Sequence, residues 1–223
     1  INFNLEQKNY ARVVELAESM QDMGFLMSPY DTHLYVLAQT ELGLRFNSDE
    51  FSGSLALFRI ERLNALTSDP VDSDFSVNSG EQRVDGVELE GSWQLNSALQ
   101  LQAGYAWMDG EIIESNDGDR GAKLGDLARH RVNLSANWQY DNDWSAFVRA
   151  NYSSGRPLVT GSAWQLDSYR LIGTGLRYQQ SNWSAQLAVN NLLDELYYTA
   201  SGNGFVVYPG EPQQVSLQLT WQW

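Results

Sequence analysis

The sequence predicts an all-β protein whose antiparallel strands run up and down and cross a membrane as a β-barrel. Three observations lead to this fold class. Apolar and polar residues alternate along most of the chain, short and long connections alternate between strands, and charges keep to one face. A period of two is the primary signal of a half-buried strand. A barrel wall with lipid outside and a polar lumen inside repeats that pattern in every strand.

Composition excludes several other classes of protein. The chain has 223 residues, 43% of them hydrophobic, a formal net charge of −14 and no cysteine. No run approaches the roughly 20 apolar residues of a membrane-spanning helix. Without cysteine there is no disulfide framework and no thiolate metal site. The negative charge disfavours a nucleic-acid partner, because phosphate binding needs clustered Lys and Arg.

The alternation marks nine strands of about 9–14 residues. They cover about 40–46, 51–62, 87–95, 99–107, 131–140, 144–152, 169–179, 183–190 and 214–223. Globular strands usually have about 5–6 residues, whereas membrane-barrel strands need about 9–11. Strand length therefore favours the membrane barrel over a soluble sandwich.

The last ten residues, QVSLQLTWQW, show the alternation most clearly. The apolar positions are predicted to face lipid: Val215, Leu217, Leu219, Trp221 and Trp223. The polar positions are predicted to face the lumen: Gln218, Thr220 and Gln222.

The connections alternate strictly in length. Short turns follow Phe46, Leu95, Tyr140 and Tyr178, while long segments cover about 63–83, 110–128, 154–168 and 193–211. Outer-membrane barrels have short periplasmic turns and long extracellular loops. The short turns are therefore predicted to be periplasmic.

Charges and aromatic residues support the same orientation. Parity assigns every charge in the strand cores to the polar face except Arg59, which should reach the outer interface and snorkel there. Aromatic residues gather near the short turns and the C-terminus, as in a girdle at one membrane interface. They are Trp93, Trp138, Tyr140, Trp144, Tyr178, Trp183, Trp221 and Trp223.

Residues 1–37 form a separate, uncertain segment, partly helical or loop, before a barrel portion at 38–223. Apolar residues from Tyr10 to Phe25 have rough helical spacing. This segment could be a loop, part of the lumen contents, or sequence altered upstream of the barrel. Because the chain starts at Ile1 and not Met, we expect a cut end there.

No catalytic or metal constellation stands out, so neither an enzyme nor a bound cofactor is predicted. His130 with Asp126 suggests a proton relay, but a histidine at the outer end of a strand is the stronger interpretation. SNDGDRG at 115–121 lacks the spacing of a calcium loop, and turn chemistry explains it better. Gly173 and Gly175 lie within a strand, where they would let barrel contents or a neighbouring chain approach closely.

Several motifs resemble the barrel of TonB-dependent outer-membrane receptors. They are GEQRVDGVELEGSWQLNSALQLQAGYAWMDGEI (80–112), LARHRVNLSANWQY (127–140), VNNLLDELYY (189–198) and YPGEPQQVSLQLTWQW (208–223). The strand pair at 40–70 is also similar to that family. The resemblance covers roughly 38–223.

The resemblance implies a 22-stranded barrel occluded by an N-terminal plug, which imports scarce chelates with energy delivered by TonB. This sequence contains neither the plug nor a TonB-interaction segment, and its nine strands would be the last nine of the barrel. The implied cargo is a ferric siderophore or similar metal chelate of a Gram-negative bacterium. The implied partners are outer-membrane lipid, the barrel-assembly machinery through the terminal aromatic residue, TonB through the plug, and the chelate.

An alternative is a small passive-pore or structural barrel of about ten strands, closed by residues near 1–12 and uncoupled from TonB. Ligand contacts are expected from the outer loops, where Arg156, Trp164, Tyr198 and Tyr208 are candidates because aromatic residues and Arg dominate binding hot spots.

Overall fold

The computed structural model describes residues 2–4, 36–200 and 206–222. These contain fourteen strands, the nine long ones matching the nine predicted from alternation. They are β1 Asn2–Asn4, β2 Val36–Asn47, β3 Phe51–Ser68, β4 Ser76–Asn96, β5 Leu99–Glu114, β6 His130–Gln139, β7 Trp144–Ser153, β8 Arg156–Pro157, β9 Gln165–Leu166, β10 Tyr169–Gln179, β11 Trp183–Asn190, β12 Tyr198–Ala200, β13 Val207–Pro209 and β14 Gln214–Trp221. None of the described residues belong to a helix that is long and apolar enough to cross a membrane.

Ten strands form one antiparallel meander in the order β1-β2-β3-β4-β5-β6-β7-β10-β11-β14. Two small hairpins, β8–β9 and β12–β13, lie in the connections between the long strands. In the described residues β1 pairs with β2 and not with β14, so the sheet is open at both edges. The all-β, up-and-down antiparallel fold is therefore confirmed, and the described strands are a part of a barrel wall.

The strand register collects the apolar residues on one face. Phe51 lies opposite Trp93, which lies opposite Leu101 on β5. At the far edge Trp183 pairs with Trp221, and the remaining odd positions of β11 and β14 pair in step. Because side chains alternate between faces with a period of two, a slip of one residue would reverse this arrangement. The pattern therefore specifies the register along the whole sheet.

The apolar face is uncovered in the structure. Leu217 and Leu219 are 66% and 69% exposed, and none of the described side chains is both large and fully buried. A soluble sandwich would pack its apolar faces together into a dry core. The sandwich alternative is therefore excluded, since this face has no protein partner in the described chain and suits lipid.

Three strands continue far into the predicted loops. β3 continues to Ser68, β4 starts at Ser76 and β5 ends at Glu114, so much of the predicted loops at 63–83 and 110–128 is strand. Beyond the membrane both faces of a strand meet water, and the apolar–polar alternation disappears although the backbone pairing continues. Strands predicted from alternation alone are therefore too short at these positions.

The other predicted loops contain short pairings of their own. Residues 154–168 include the β8–β9 hairpin, and residues 193–211 include β12 and β13. The helix predicted between Tyr10 and Phe25 and the side chain of Trp223 lie outside the described residues. We refer to the end of the sheet with the short turns as the turn end and to the opposite end as the loop end.

Candidate functional site: the polar face and the outer loops

The polar face forms a hydrophilic wall across β2–β7. A pocket of about 730 Å³ on this face is lined by charged and amide side chains, among them Arg45, Glu90, Gln102, Asn133 and Arg149. They share one face because each occupies the parity opposite to the apolar positions. Such a wall can hydrogen-bond water, a hydrophilic ligand or a polar domain within a barrel.

Two glycines on this wall make room for aromatic rings. A Cβ at Gly175 would lie 2.4 Å from Cε1 of Phe147, and one at Gly86 would lie 2.1 Å from Cζ of Phe58. Each ring therefore lies flat over the glycine of the neighbouring strand. Arg149 in turn places its guanidinium 4.7 Å from the centre of the Phe147 ring. Gly175 thus admits a ring from β7 of the same sheet, whereas the approach of barrel contents or of a neighbouring chain stays a prediction.

Arg156, one of the four candidate ligand contacts, lies under the outer loops and is only 5% exposed. Its Nε donates to Oδ1 of Asp126 at 2.6 Å, and its Nη2 lies 3.4 Å from the carbonyl oxygen of Tyr198. The Nη1 atom has no hydrogen-bond partner in the described chain. Arg156 therefore joins loops 115–129, 154–168 and 191–213, which are far apart in sequence.

The other candidates lie around this arginine or beyond it. Tyr198 begins β12, and Thr199 next to it pairs with Tyr208 on β13. Trp164, 77% exposed, lies in the tip of the β8–β9 hairpin. The fold thus brings Arg156, Tyr198 and Tyr208 together and leaves Trp164 projecting from the loops.

Asn191 organises the final loop and is not among the functional residues predicted from the sequence. Its Nδ2 donates to the carbonyl oxygens of Glu195 and Glu211, both at 3.0 Å, and its Oδ1 accepts from the amide of Glu195 at 2.9 Å. The residue is 6% exposed and has a φ of 47°. The signal was present in the VNNLLDELYY motif, whose Asp194 likewise accepts from the Gln213 amide.

The loop at 115–129 is fastened to the β3–β4 hairpin. The amide of Asn116 donates to Oγ1 of Thr67 at 2.9 Å, and the amide of Ser68 donates to Oδ1 of Asp117 at 3.0 Å. The hydrogen bonding of Asp117 with Ser68, and to a smaller extent with Ser115, holds the pKa of the Asp117 carboxyl below its usual range. Gly118 and Gly121 have φ of 76° and 81°, so this segment is a turn, as its composition predicts.

His130 and Asp126 do not form a relay. Nδ1 of His130 lies 2.9 Å from Oη of Tyr105 on the apolar face, while Asp126 pairs with Arg156. Within residues 2–4, 36–200 and 206–222 no group of three or more acidic, His or Cys side chains could hold a metal ion.

Charged side chains on the apolar face begin directly above its last apolar residues. Arg59 pairs with Asp85 at 2.7 Å, and the same register row continues to Asp109 on β5. We call this cluster the ion-pair row. It comprises Arg59, Arg83, Asp85, Asp109, Glu111, Lys123 and Arg129. Arg59 lies at the predicted level, but it pairs with Asp85 and does not snorkel alone. The sequence did not predict this pair because Asp85 lies just outside the predicted strand at 87–95.

Aromatic residues cluster at the turn end. Trp138 packs against Tyr140 edge to face at 5.5 Å, and Tyr178 contacts both Trp144 at 4.7 Å and Trp183 at 5.4 Å. Trp221 pairs with Trp183 across the last two strands. From the turn end up to the ion-pair row, β3, β4 and β5 show four to five apolar-face positions, close to the height of about 9–11 membrane residues.

Comparison with known proteins identifies the family. The model for the TonB dependent receptor-like β-barrel matches residues 38–192. The metal-pseudopaline receptor of Pseudomonas aeruginosa is 32% identical over 173 residues, which are 75% of this chain and 24% of that receptor. The ferric-pyoverdine receptor of Pseudomonas sp. M114 is 30% identical over 199 residues, 80% of this chain and 23% of that receptor.

Solved structures show the same fold. The siderophore receptor PiuA of Acinetobacter baumannii superposes with a TM-score of 0.73 at 21% identity, over 82% of this chain and 28% of that one. The ferric-catecholate import receptor Fiu of Escherichia coli gives 0.70 at 23%, over 83% and 27%. The chain therefore spans about a quarter of the length of its curated relatives. These relatives are outer-membrane receptors and transporters and not enzymes, and the chain belongs to the TonB-dependent receptor-like β-barrel family.

Proposed function

We propose that these residues form the C-terminal part of the barrel of a receptor that imports a metal chelate of the ferric-siderophore type across the bacterial outer membrane. The observation that carries the proposal is the family match over residues 38–192, on a sheet with one lipid-compatible face and one hydrophilic face. Relatives named for metal-pseudopaline, ferric-pyoverdine and ferrioxamine B support the cargo class.

In this proposal residues 38–223 are barrel wall and residues 1–37 are a separate segment. The polar wall with Arg45, Glu90 and Arg149 faces the lumen, where a plug would carry the coupling to TonB. No observation favours a passive pore, whose closing strand near residues 1–12 would have to pair with β14. The described β1 pairs with β2, and among the described strands it does not pair with β14.

The chelate is proposed to meet the outer loops first. Trp164 and Tyr208 are exposed and contact it directly, since aromatic side chains bury large area with few rotatable bonds. Arg156 and Tyr198 contribute by joining the loops around the entrance, and the unpartnered Nη1 of Arg156 is available to an anionic group when the loops open.

The experiment is uptake of radioactive iron chelates by cells that carry the intact receptor. Trp164→Ala and Tyr208→Ala should each raise the chelate concentration needed for half-maximal uptake by about tenfold. A tenfold change corresponds to the loss of a hot-spot aromatic contact of about 1.4 kcal/mol. Phe75→Ala is the matched control, because Phe75 is an exposed aromatic residue in another outer loop. Uptake that persists without TonB, or that is unchanged for every metal chelate when the receptor is deleted, would contradict the proposal.

A second part of the proposal concerns assembly. Trp138, Trp144, Trp183 and Trp221 at the turn end would lie at the periplasmic interface, and Trp223, two residues beyond Trp221, is proposed to be the aromatic residue read by the barrel-assembly machinery. Trp223→Ala should lower the surface level of the receptor more than the uptake rate per assembled receptor. Quantitative surface labelling together with uptake separates the two, and unchanged surface levels would count against this role.

A further inference from the structure

A column of stacked side chains supports the final loop at the loop end of the sheet. The ring of Tyr169, the first residue of β10, lies 4.7 Å from the ring of Tyr197, centre to centre, and the two planes are inclined by 34°. The guanidinium carbon of Arg156 lies 5.8 Å from the centre of the Tyr169 ring. The Tyr197 ring in turn covers Gly210, where an added Cβ would overlap the ring atoms Cζ, Cε1 and Cε2. We call these four residues the aromatic column.

The last two members of the column flank the β12–β13 hairpin. Tyr197 directly precedes β12, and Gly210 directly follows β13. The amide of Gly210 donates to the carbonyl oxygen of Tyr197 at 2.7 Å, and the amide of Glu211 donates to Oη of Tyr197 at 3.3 Å. Both strands of the hairpin therefore start beside the same ring, and the position of that ring sets the direction in which the hairpin projects.

The hairpin depends on side-chain contacts for its direction. Among the described strands, β12 and β13 pair with each other and not with the ten-stranded sheet. An isolated two-stranded hairpin is only marginally stable in water. Asn191 closes the base of the loop by donating to the carbonyl oxygen of Glu211, but this hydrogen bond lies beneath the hairpin. Tyr169, in contrast, is part of the sheet, because it pairs with Ser153 on β7. Its ring therefore links the hairpin to a fixed strand.

The hairpin carries Tyr208, which is 56% exposed, whereas Tyr169 and Tyr197 are half-buried. Thr199 lies opposite Tyr208 in the register, and its Oγ1 donates to the carbonyl oxygen of Tyr208 at 3.3 Å. Tyr208 is two residues from Gly210, about 7 Å along an extended chain. A change of direction at Gly210 would therefore move the Tyr208 side chain.

We propose that Tyr169 and Tyr197 are positioning residues, which fix the β12–β13 hairpin through Gly210 and so hold Tyr208 where it meets the chelate. The inference rests on the proposed contact between Tyr208 and the chelate. A hairpin that is already ordered spares the free energy of ordering it on binding. Position 210 requires glycine because any side chain there would displace the Tyr197 ring. The column acts on chelate affinity and not on the transport step.

The support is tested first without a chelate, on the intact purified receptor. Spin labels at Val207→Cys and Ser181→Cys measure the distance from the hairpin to the turn end, in a background without other cysteines; this chain has none. The distance distribution should be narrow in the parent, in Tyr169→Phe, which keeps the ring, and in the matched control Gly104→Ala. It should broaden or shift in Tyr169→Ala and Gly210→Ala.

Three results of the distance measurement would overturn the proposal. An unchanged distribution in Tyr169→Ala or in Gly210→Ala would show that the column does not hold the hairpin. A change in Tyr169→Phe as large as that in Tyr169→Ala would assign the effect to the hydroxyl group and not to the stacked ring. Heat-modifiable migration confirms that each variant is folded.

Chelate uptake then tests the positioning of Tyr208. Tyr169→Ala should raise the chelate concentration for half-maximal uptake about tenfold, as Tyr208→Ala does, while the maximal rate per surface receptor stays unchanged. Tyr169→Phe should restore the parent value. The double variant Tyr169→Ala/Tyr208→Ala should be no worse than Tyr208→Ala, because residues that act through one contact are not additive. Effects that multiply to about a hundredfold would show that Tyr169 acts independently of Tyr208 and would overturn the proposal.

Failure of this inference differs from failure of the proposed function. Normal uptake by Tyr208→Ala would refute the contact between Tyr208 and the chelate, and with it the positioning role. Unchanged label distances would refute the aromatic column whatever the cargo is, since no chelate is present in that measurement.

Discussion

Two parts of this sheet are stabilised in different ways. The lower part lies between the turn end and the ion-pair row, and the upper part lies between the ion-pair row and the loop end. Below the ion-pair row, stability rests on a repeated pattern: apolar residues outward, polar residues inward, and a register that keeps them so. Above it, stability rests on individual contacts such as those of Asn191, Arg156 and Asp117. In lipid every strand must turn its apolar side chains outward, whereas in water each loop must satisfy its own backbone hydrogen bonds. Removing one polar side chain should therefore change the stability of the lower part little and that of the upper part substantially.

The largest effect is expected from placing a charge in the lower part. Leu89 lies between Leu55 and Tyr105 in the middle of the apolar face. Leu89→Arg should destabilise the assembled receptor by about 2–4 kcal/mol, the depth-dependent penalty for a lipid-facing Arg. Urea unfolding in lipid vesicles measures this.

The same substitution in the upper part is the control. Leu66 is 48% exposed on β3 beyond the ion-pair row, and Leu66→Arg should stay within about 0.5 kcal/mol of the parent. Equal penalties at both positions would mean that the ion-pair row is not the boundary between the two parts.

The next effect tests the upper part. Asn191→Ala removes three hydrogen bonds and places Ala at a φ of 47°, which should destabilise by about 2–3 kcal/mol. Asn191→Gly relieves the backbone strain alone and should recover only part of the loss. Protease cleavage within 191–213 and thermal unfolding are the measurements. Asn142→Ala, at an exposed turn, should be near neutral, and an equally large loss there would contradict the contrast.

A smaller effect is expected on the inner side of the lower part. A Cβ at Gly175 would meet the Phe147 ring at 2.4 Å and the carbonyl oxygen of Leu187 at 2.9 Å. Gly175→Ala should therefore cost about 1–3 kcal/mol through overpacking. Gly104→Ala is the matched control, since its nearest neighbour, Asn133, is 3.9 Å away. If both variants unfold at the same urea concentration as the parent, the contact between the Phe147 ring and Gly175 does not contribute to stability.

The smallest effect is a pH dependence confined to one loop. Because hydrogen bonds from Ser68 lower the pKa of Asp117, their stabilisation is fully present above the ordinary carboxyl pKa of about 3.9. It is lost as pH falls through the lower pKa of the folded state. The protection of the Ser68 amide, measured as its exchange rate relative to the intrinsic rate at each pH, should fall in that window, and Asp117→Asn should flatten the response. An unchanged profile in the variant would assign the transition to another group.

The sequence by itself determined the fold class, the existence of the nine long strands, the short turns and the face of the sheet on which each residue of the predicted strands lies. It could do so because the membrane imposes a period of two on every strand, and that signal is local. The family followed from local motifs as well. The terminal strand QVSLQLTWQW, for example, is paired as its alternation predicts up to Trp221.

The tertiary structure alone decided what happens above the membrane. The extension of β3 and β4 to Ser68 and Ser76, the pairing of Arg59 with Asp85, and the burial of Arg156 under three loops have no periodic signal. Each depends on residues 26 to 42 positions apart or on backbone pairing in water. Such contacts are set by which strands become neighbours, so they emerge only once the sheet has formed.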